Sequence, residues 1–196
     1  MTPQAHGAHD KTAMRAAARS ARRAITGDAR SRAAERVARR VMELPEVAGA
    51  RAVAIFGPTA EEIDVSVLEA ALREQGVRIA YPRITGPRQL ALHWVEDAGS
   101  CETGPLGILA PPADAPETPL DELDVIIVPG VAFDAACNRL GHGRGYYDAL
   151  IEGLPVGLTT IAVAYDEQIV SEVPCEPHDR AVDIIVTPTA VYRREA

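Results

Sequence analysis

Cysteine and aromatic residues are scarce in this sequence, and no apolar run is long enough to cross a membrane. The three cysteines, Cys101, Cys137 and Cys175, are far apart and form no CxxC pair, so neither a disulfide framework nor a zinc knuckle is indicated. The first ten residues lack the apolar segment of a signal peptide. Together these absences favour a protein of the reducing cytoplasm.

The formal net charge of the chain is −8 at pH 7, which argues against a general binder of nucleic acids or acidic membranes. We therefore expect neither a nucleic-acid partner nor a membrane partner. Arginine is nevertheless concentrated in the first forty residues. A local basic face of this kind can bind an anionic small molecule within an otherwise acidic protein.

Short β-branched and aliphatic runs alternate with helix-like patterns along the 196 residues. This alternation favours a parallel or mixed sheet with helices on both faces. We predict a single three-layer α/β/α domain with a mostly parallel, Rossmann-like sheet, preceded by a disordered tail over residues 1–10. Residues 97–120, rich in proline and glycine, predict a partly mobile flap. The predicted strands are residues 51–56, 77–81, 89–95, 124–128, 159–165 and 182–186.

A glycine-rich segment follows the predicted strand 124–128. In residues 139–148, RLGHGRGYYD, three glycines alternate with His142 and Arg144. Because glycine admits positive φ, such a loop can turn several backbone N–H groups toward one anion. The Walker and dinucleotide fingerprints are both absent. A bare GxGxG is more typical of a mobile surface loop, but the flanking arginines and tyrosines favour a phosphate site.

Other charged residues allow two interpretations each. Lys11 and Arg15 share a helix face, which spacing alone would assign to solvent. We interpret Arg19, Arg22 and Arg23 as surface residues. The acids Glu61 and Glu62 follow a glycine turn at a strand end, where α/β sheets bind ligands, but they also suit the first turn of a helix. Asp183 can be an ordinary strand-start aspartate.

The segments PGVAFD, at residues 129–134, and NRLGHGRGYYD, at residues 138–148, resemble the signature of the 5-formyltetrahydrofolate cyclo-ligase family. Lys11 and Arg15 match the family's K-x-x-x-R pair, and Glu62 matches a family glutamate followed by Ile-Asp. The resemblance extends over most of the chain and implies one cyclo-ligase-like α/β domain over residues 11–196. We expect a monomer.

The resemblance implies a cytoplasmic ligase of one-carbon metabolism. It would use ATP and Mg²⁺ to convert 5-formyltetrahydrofolate into 5,10-methenyltetrahydrofolate, ADP and phosphate. Arg144 and Tyr147 would be the catalytic residues, and Asp148 and Asp183 would hold the metal. The implied ATP-binding residues are Lys11, Arg15, Arg139, Leu140, Gly141, His142, Gly143, Arg144, Gly145, Tyr146 and Tyr147. The implied substrate-binding residues are Gly57, Glu62, His142, Gly143, Arg144, Gly145 and Tyr146.

Two alternatives stay open at this point, because fold alone does not determine function. A sugar-phosphate isomerase or CoA-transferase-like enzyme could bind a phosphate in the glycine loop without hydrolysing ATP. A non-catalytic folate- or nucleotide-binding protein could keep the loop and lack turnover.

Overall fold

A seven-stranded sheet forms the centre of the protein, described here by a computed structural model over residues 4–195. The α-helices of these residues are α1 (Gln4–Ala24), α2 (Asp28–Met42), α3 (Pro45–Ala48), α4 (Ser66–Glu74) and α5 (Tyr146–Glu152). The strands are β1 (Ala52–Ala54), β2 (Arg78–Gly86), β3 (Gln89–Trp94), β4 (Glu102–Thr103), β5 (Leu109–Ala110), β6 (Val125–Val128), β7 (Ala132–Phe133), β8 (Arg139–Leu140), β9 (Thr159–Val163), β10 (Ile184–Val186) and β11 (Val191–Arg193).

The strand order of the main sheet is β11-β10-β9-β6-β1-β2-β3. The five strands from β10 to β2 are parallel, and the outer strands β3 and β11 each pair antiparallel with their neighbour. Strand β6 is buried on both faces, as its continuous run of valine and isoleucine predicts. The predicted mostly parallel α/β sheet is therefore confirmed.

Two separate cores flank the sheet. One contains Val37 and Val41 of α2 with Leu68 and Leu72 of α4. The other contains Leu150 of α5, together with side chains from the opposite face of the strands. Because consecutive residues of a strand face opposite sides, each strand contributes to both cores.

Helix α1 lies outside these two layers. Ala18 packs with Val131, Ala132 and Leu140, which follow the carboxyl end of β6. The basic amino-terminal helix is thus held beside the carboxyl ends of the parallel strands, where α/β sheets place their ligands. Within the described residues, no helix combines the length and apolar character needed to cross a bilayer.

The amino terminus differs from the sequence prediction. We predicted a disordered tail over residues 1–10, but α1 already begins at Gln4, so residues 4–10 are helical. Residues 1–3 lie outside the described part of the chain. Alanine at positions 5 and 8 favours the helix.

Candidate active site

A cavity of about 410 Å³ opens at the carboxyl ends of β1 and β6. Two groups of predicted site residues face each other across it, the glycine loop on one wall and Gly57 with Glu62 on the other. Residues of the 97–120 segment and of the β2–β3 hairpin close the remaining sides. The predicted residues that line the cavity are Gly57, Glu62, Arg139, Gly141, His142, Arg144, Gly145, Tyr146, Tyr147 and Asp148.

The glycine loop, residues 141–145, connects β8 to α5. Gly143 and Gly145 have φ angles of +94° and +70°, a region that side chains with a Cβ rarely adopt. Arg144 between them is exposed and lines the cavity. No hydrogen bond or ion pair from Arg144 occurs within residues 4–195, so its guanidinium is available to an anionic ligand.

Two arginines of α1 contact this loop. Arg15 donates from Nε to the carbonyl oxygen of Gly141 over 2.9 Å, and its guanidinium lies against Gly143. Arg19 lines the cavity, and its Nη2 is 3.4 Å from Nδ1 of His142. The prediction that Arg19 is a plain surface residue is therefore wrong. Its spacing of four from Arg15 was the available signal, since residues four apart share a helix face.

Lys11 lies one turn before Arg15 on α1, and it does not line the cavity. Its Nζ is 3.0 Å from Oε2 of Glu176 and 2.5 Å from Oδ2 of Asp179. Burial works to lower the pKa of Lys11, but the two carboxylates outweigh it and raise the pKa above its ordinary value. The amine is thus charged and already paired, a partnership that sequence spacing could not reveal.

Glu62 is the buried acid of the opposite wall, with 8% of its surface exposed. Its Oε2 accepts hydrogen bonds from the backbone N–H and the hydroxyl of Thr59, at 2.8 and 3.0 Å. Burial raises the pKa of Glu62, but the hydrogen bonds from His142 and Thr59 outweigh it and leave the pKa below its ordinary value. The carboxylate is therefore ionised at neutral pH and suited to accept N–H groups of a ligand. Thr59 is a site residue that the sequence did not reveal.

His142 connects the two walls. Its Nε2 is 3.1 Å from Oε1 of Glu62, across the cavity from the glycine loop. Because the guanidinium of Arg19 can only donate, Nδ1 of His142 accepts, and Nε2 carries the proton that is donated to Glu62. His142 thus occupies one oxygen of the carboxylate that was predicted to bind the substrate.

Arg139 and Asp148 form an ion pair beneath the loop, with Nη2 and Oδ1 2.5 Å apart. Both side chains are largely buried, and Nη1 of Arg139 also reaches the carbonyl oxygen of Pro129 at 3.4 Å. Tyr147 packs between the two cores. Burial, together with the charge of Glu62, raises the pKa of Tyr147, so its hydroxyl stays protonated and can donate a hydrogen bond.

The position of Asp183 does not agree with the predicted metal pair of Asp148 and Asp183. Asp183 precedes β10 at the amino ends of the parallel strands, where Oδ2 accepts from the backbone and hydroxyl of Thr160. Its Oδ1 accepts from Arg194 at 2.6 Å. In the neighbouring strand β6, the residue beside Thr160 is Ile126, which comes three residues before Pro129 of the cavity lining. Asp183 is therefore about 10 Å from the cavity along the strand direction, at roughly 3.3 Å per residue. Asp148 lies at the cavity and Asp183 does not, so the two cannot share one ion in this structure.

Two other predicted assignments differ in detail. Leu140 does not line the cavity; it is buried with Ala18 and supports the loop from below. Arg22, predicted at the surface, is 1% exposed and lies 3.5 Å from Glu61 and from the carbonyl oxygen of Gly130. Arg23 is exposed, as predicted.

Part of the 97–120 segment forms the small β4–β5 hairpin over the cavity. Pro105, Ile108, Leu109 and Ala110 line it. A Cβ on Gly57 would lie 2.7 Å from the carbonyl oxygen of Leu109, so this close approach requires glycine at position 57. The segment therefore acts as an apolar wall.

The fold and site define an α/β enzyme whose cavity is lined by a glycine loop beside arginines and by a buried carboxylate. The model of the 5-formyltetrahydrofolate cyclo-ligase family matches residues 8–188, and the chain belongs to this family.

Relatives and a solved structure agree with that assignment. The chain is 32% identical over 179 residues to a 5-formyltetrahydrofolate cyclo-ligase of Escherichia coli K12, covering 89% of this chain and 98% of the relative. A probable 5-formyltetrahydrofolate cyclo-ligase of Schizosaccharomyces pombe is 31% identical over 173 residues, covering 80% and 84%. The solution structure of Aquifex aeolicus 5,10-methenyltetrahydrofolate synthetase superposes with a TM-score of 0.83 at 29% identity, covering 95% and 93%.

Proposed function

We propose that this protein catalyses the ATP-dependent closure of 5-formyltetrahydrofolate to 5,10-methenyltetrahydrofolate. One observation carries the proposal: a chain of this family has its glycine loop and an ionised, buried glutamate on facing walls of one cavity. Because the cavity is shared, the nucleotide and the pterin would meet where the reaction needs them. The isomerase-like alternative lacks support from the family match.

The proposed chemistry begins with transfer of the γ-phosphoryl group of ATP to the formyl oxygen. This transfer breaks the bond between the β- and γ-phosphates and converts a poor leaving group into a good one. The N10 amine then attacks the formyl carbon, phosphate leaves with the former formyl oxygen, and the N10 proton is lost to solvent. Positioning and charge neutralisation dominate catalysis of phosphoryl transfer.

The phosphates would be held by the N–H groups of the glycine loop and by Arg144 and Arg15, which contact or lie in that loop. Arg139 would add a buried positive charge beneath it. Lys11 would reach the phosphates only by exchanging Glu176 or Asp179 for them, because its ammonium is already paired.

The folate would place its pterin N–H donors on Glu62, with backbone contact from Gly57 in the same wall. Tyr147 would donate its hydroxyl proton toward the formyl oxygen, because the raised pKa keeps that hydroxyl protonated. Arg144 and Tyr147 are thus proposed as the residues nearest the reacting atoms.

The cavity offers few protein ligands for Mg²⁺, which agrees with the small number of carboxylates that this ion needs. Of the two carboxylates that line the cavity, Glu62 accepts from His142 and Thr59 with its two oxygens, whereas Asp148 accepts from Arg139 with Oδ1, which leaves Oδ2 of Asp148 to hold the ion. Mg²⁺ commonly takes one or two carboxylates and completes its shell with phosphate oxygens and water. When bound, the ion would neutralise charge on the phosphates.

The direct test is a rise in near-ultraviolet absorbance when the protein receives 5-formyltetrahydrofolate and MgATP, since the methenyl product has a longer conjugated system than the substrate. We expect turnover that depends on both ATP and Mg²⁺. A folded protein that binds both compounds without this signal would instead be the non-catalytic binding protein.

Replacing Arg144 with alanine should raise the Kd for ATP about tenfold or more, because a charge-assisted hydrogen bond to phosphate contributes about 1.5–3 kcal/mol. The measurement is calorimetric titration with MgATP. Arg36→Ala, which removes the same charge from the exposed face of α2, is the control. Unchanged ATP affinity in Arg144→Ala would remove this residue from the phosphate site.

We further propose that the enzyme works in the cytoplasm as a monomer, on small molecules alone. The low cysteine content and the acidic net charge support this setting. Analytical ultracentrifugation with and without both substrates is the test of the monomeric state.

A further inference from the structure

The tip of the β2–β3 hairpin carries an arginine in an unfavourable backbone conformation. Pro87 and Arg88 form the turn between Gly86 and Gln89, and Arg88 has a φ of +58°. Turns with proline in the first central position usually place glycine or asparagine in the second, because a Cβ is disfavoured there. An arginine at such a position suggests that its side chain has a function.

The Arg88 side chain reaches the end of the glycine loop. A Cβ placed on Gly145 would lie 3.0 Å from its Nε and 3.3 Å from its Cζ, so the guanidinium covers that glycine. Arg88 is exposed, and within residues 4–195 it makes no hydrogen bond or ion pair. A cation is therefore positioned at the loop without a protein partner.

The β2–β3 hairpin also contributes apolar side chains to the cavity, in addition to those of the 97–120 segment. Ile84 and Leu90 are directly opposite each other in β2 and β3, next to the turn, and both line the cavity. Glu62 lines the same cavity, and Arg88 lies beside that cavity, at the turn next to Ile84 and Leu90. A ligand that lies on this pair with its donor edge at Glu62 would therefore have Arg88 within reach at the turn.

The positive charges around the loop form two groups. Arg15 and Arg19 contact its first half, at Gly141–Gly143, whereas Arg88 covers its last residue, Gly145. The α1 side suits the phosphates, since it also has the buried Arg139 next to Gly141. The hairpin side suits an anion joined to an apolar ring system.

We propose that Arg88 binds the glutamate carboxylates of the folate substrate and so selects folates with an intact glutamate tail. This inference rests on the function proposed above. The pteridine and benzoyl rings lie on the wall that includes Ile84 and Leu90, and the tail leaves the cavity beneath the guanidinium of Arg88. The αL conformation directs the side chain there at the expense of hairpin stability.

The test compares the wild type with Arg88→Gly in equilibrium binding. Titrations would use 5-formyltetrahydrofolate, its tail-free analogue 5-formyltetrahydropteroate, and MgATP, each alone. We expect Arg88→Gly to raise the Kd for the tailed compound roughly tenfold, while the Kd values for the tail-free analogue and ATP stay unchanged. Its melting temperature should rise, because glycine suits the positive φ. Arg36→Ala is the control for the lost charge.

Three results would overturn the proposal. Equal Kd values for the tailed folate in the wild type and in Arg88→Gly mean that Arg88 does not touch the tail. An increased Kd for ATP instead assigns Arg88 to the phosphates. A parallel loss for the tail-free analogue means that the substitution disturbs the wall. If the wild type binds the folate but shows no turnover, the proposed catalysis fails while the binding comparison still decides the role of Arg88.

Discussion

Glu62→Gln is expected to raise the Kd for 5-formyltetrahydrofolate by about 10- to 100-fold. Glutamine keeps the size of the side chain but removes the negative charge, and hydrogen bonds to a charged group contribute about 1.5–3 kcal/mol. The lowered pKa of Glu62 keeps the wild-type carboxylate ionised at neutral pH. The ATP affinity should change little, because the phosphates are proposed to bind at the glycine loop and not at Glu62. Parallel titrations with the folate and with MgATP measure both effects.

Glu61→Gln is the matched control. Glu61 is the neighbouring residue, but its oxygens lie 3.5 Å from Arg22 and 3.6 Å from Arg23, outside the cavity lining. We expect its folate affinity to equal that of the wild type. If Glu62→Gln lost folate and ATP affinity equally, the assignment of Glu62 to the pterin would be wrong.

His142 of the glycine loop is hydrogen-bonded to Glu62, the residue replaced in this experiment. Its Nε2 donates to the same carboxylate, so a pterin bound at Glu62 would have to share or replace that hydrogen bond. Because His142 belongs to the glycine loop, such binding would change a contact of the loop that is proposed to hold ATP. One side chain thus connects the two proposed substrate sites.

Most of the sheet was predictable from local pattern. The runs that form β6, β9 and β10 are short, β-branched and continuous, as strands buried on both faces are. The β7–β8 hairpin was not predicted. Its turn depends on Asp134, whose side chain accepts from the backbone N–H groups of Ala136, Asn138 and distant Val173. Short-range pattern contains no information about that last contact.

The site was predictable only where a motif specified it. The glycine loop and Glu62 were found because their residue types occur in a family-specific order. The pairing of Lys11 with Glu176 and Asp179 joins residues far apart in the sequence, and so does the contact of Arg88 with Gly145. Asp183 matched the family pattern, yet it lies at the amino ends of the strands, because a sequence pattern does not say which edge of the sheet a residue occupies.

Arg139→Met is expected to destabilise the fold by about 3–5 kcal/mol, because it leaves the charge of Asp148 largely buried without its partner. The side chain of Arg139 is 2% exposed, and its pairing with Asp148 fixes the start of α5 against the strand that precedes the glycine loop. The free energy of unfolding in urea, measured for the wild type and the variant, gives the effect directly. ATP affinity should fall as well, because a cation beneath the proposed phosphate site is lost.

A double-mutant cycle separates the two consequences. Asp148→Leu alone should also be strongly destabilising, because it leaves the guanidinium of Arg139 buried and unpaired. Replacing a buried ion pair by apolar residues of similar volume is often nearly neutral, so Arg139→Met combined with Asp148→Leu should recover most of the stability. ATP binding should stay weak in the double variant, since it lacks both the guanidinium beneath the loop and the carboxylate proposed to hold Mg²⁺. Strictly additive losses of stability would show that the ion pair does not couple the two residues, and recovered ATP affinity would show that Arg139 acts on the fold alone.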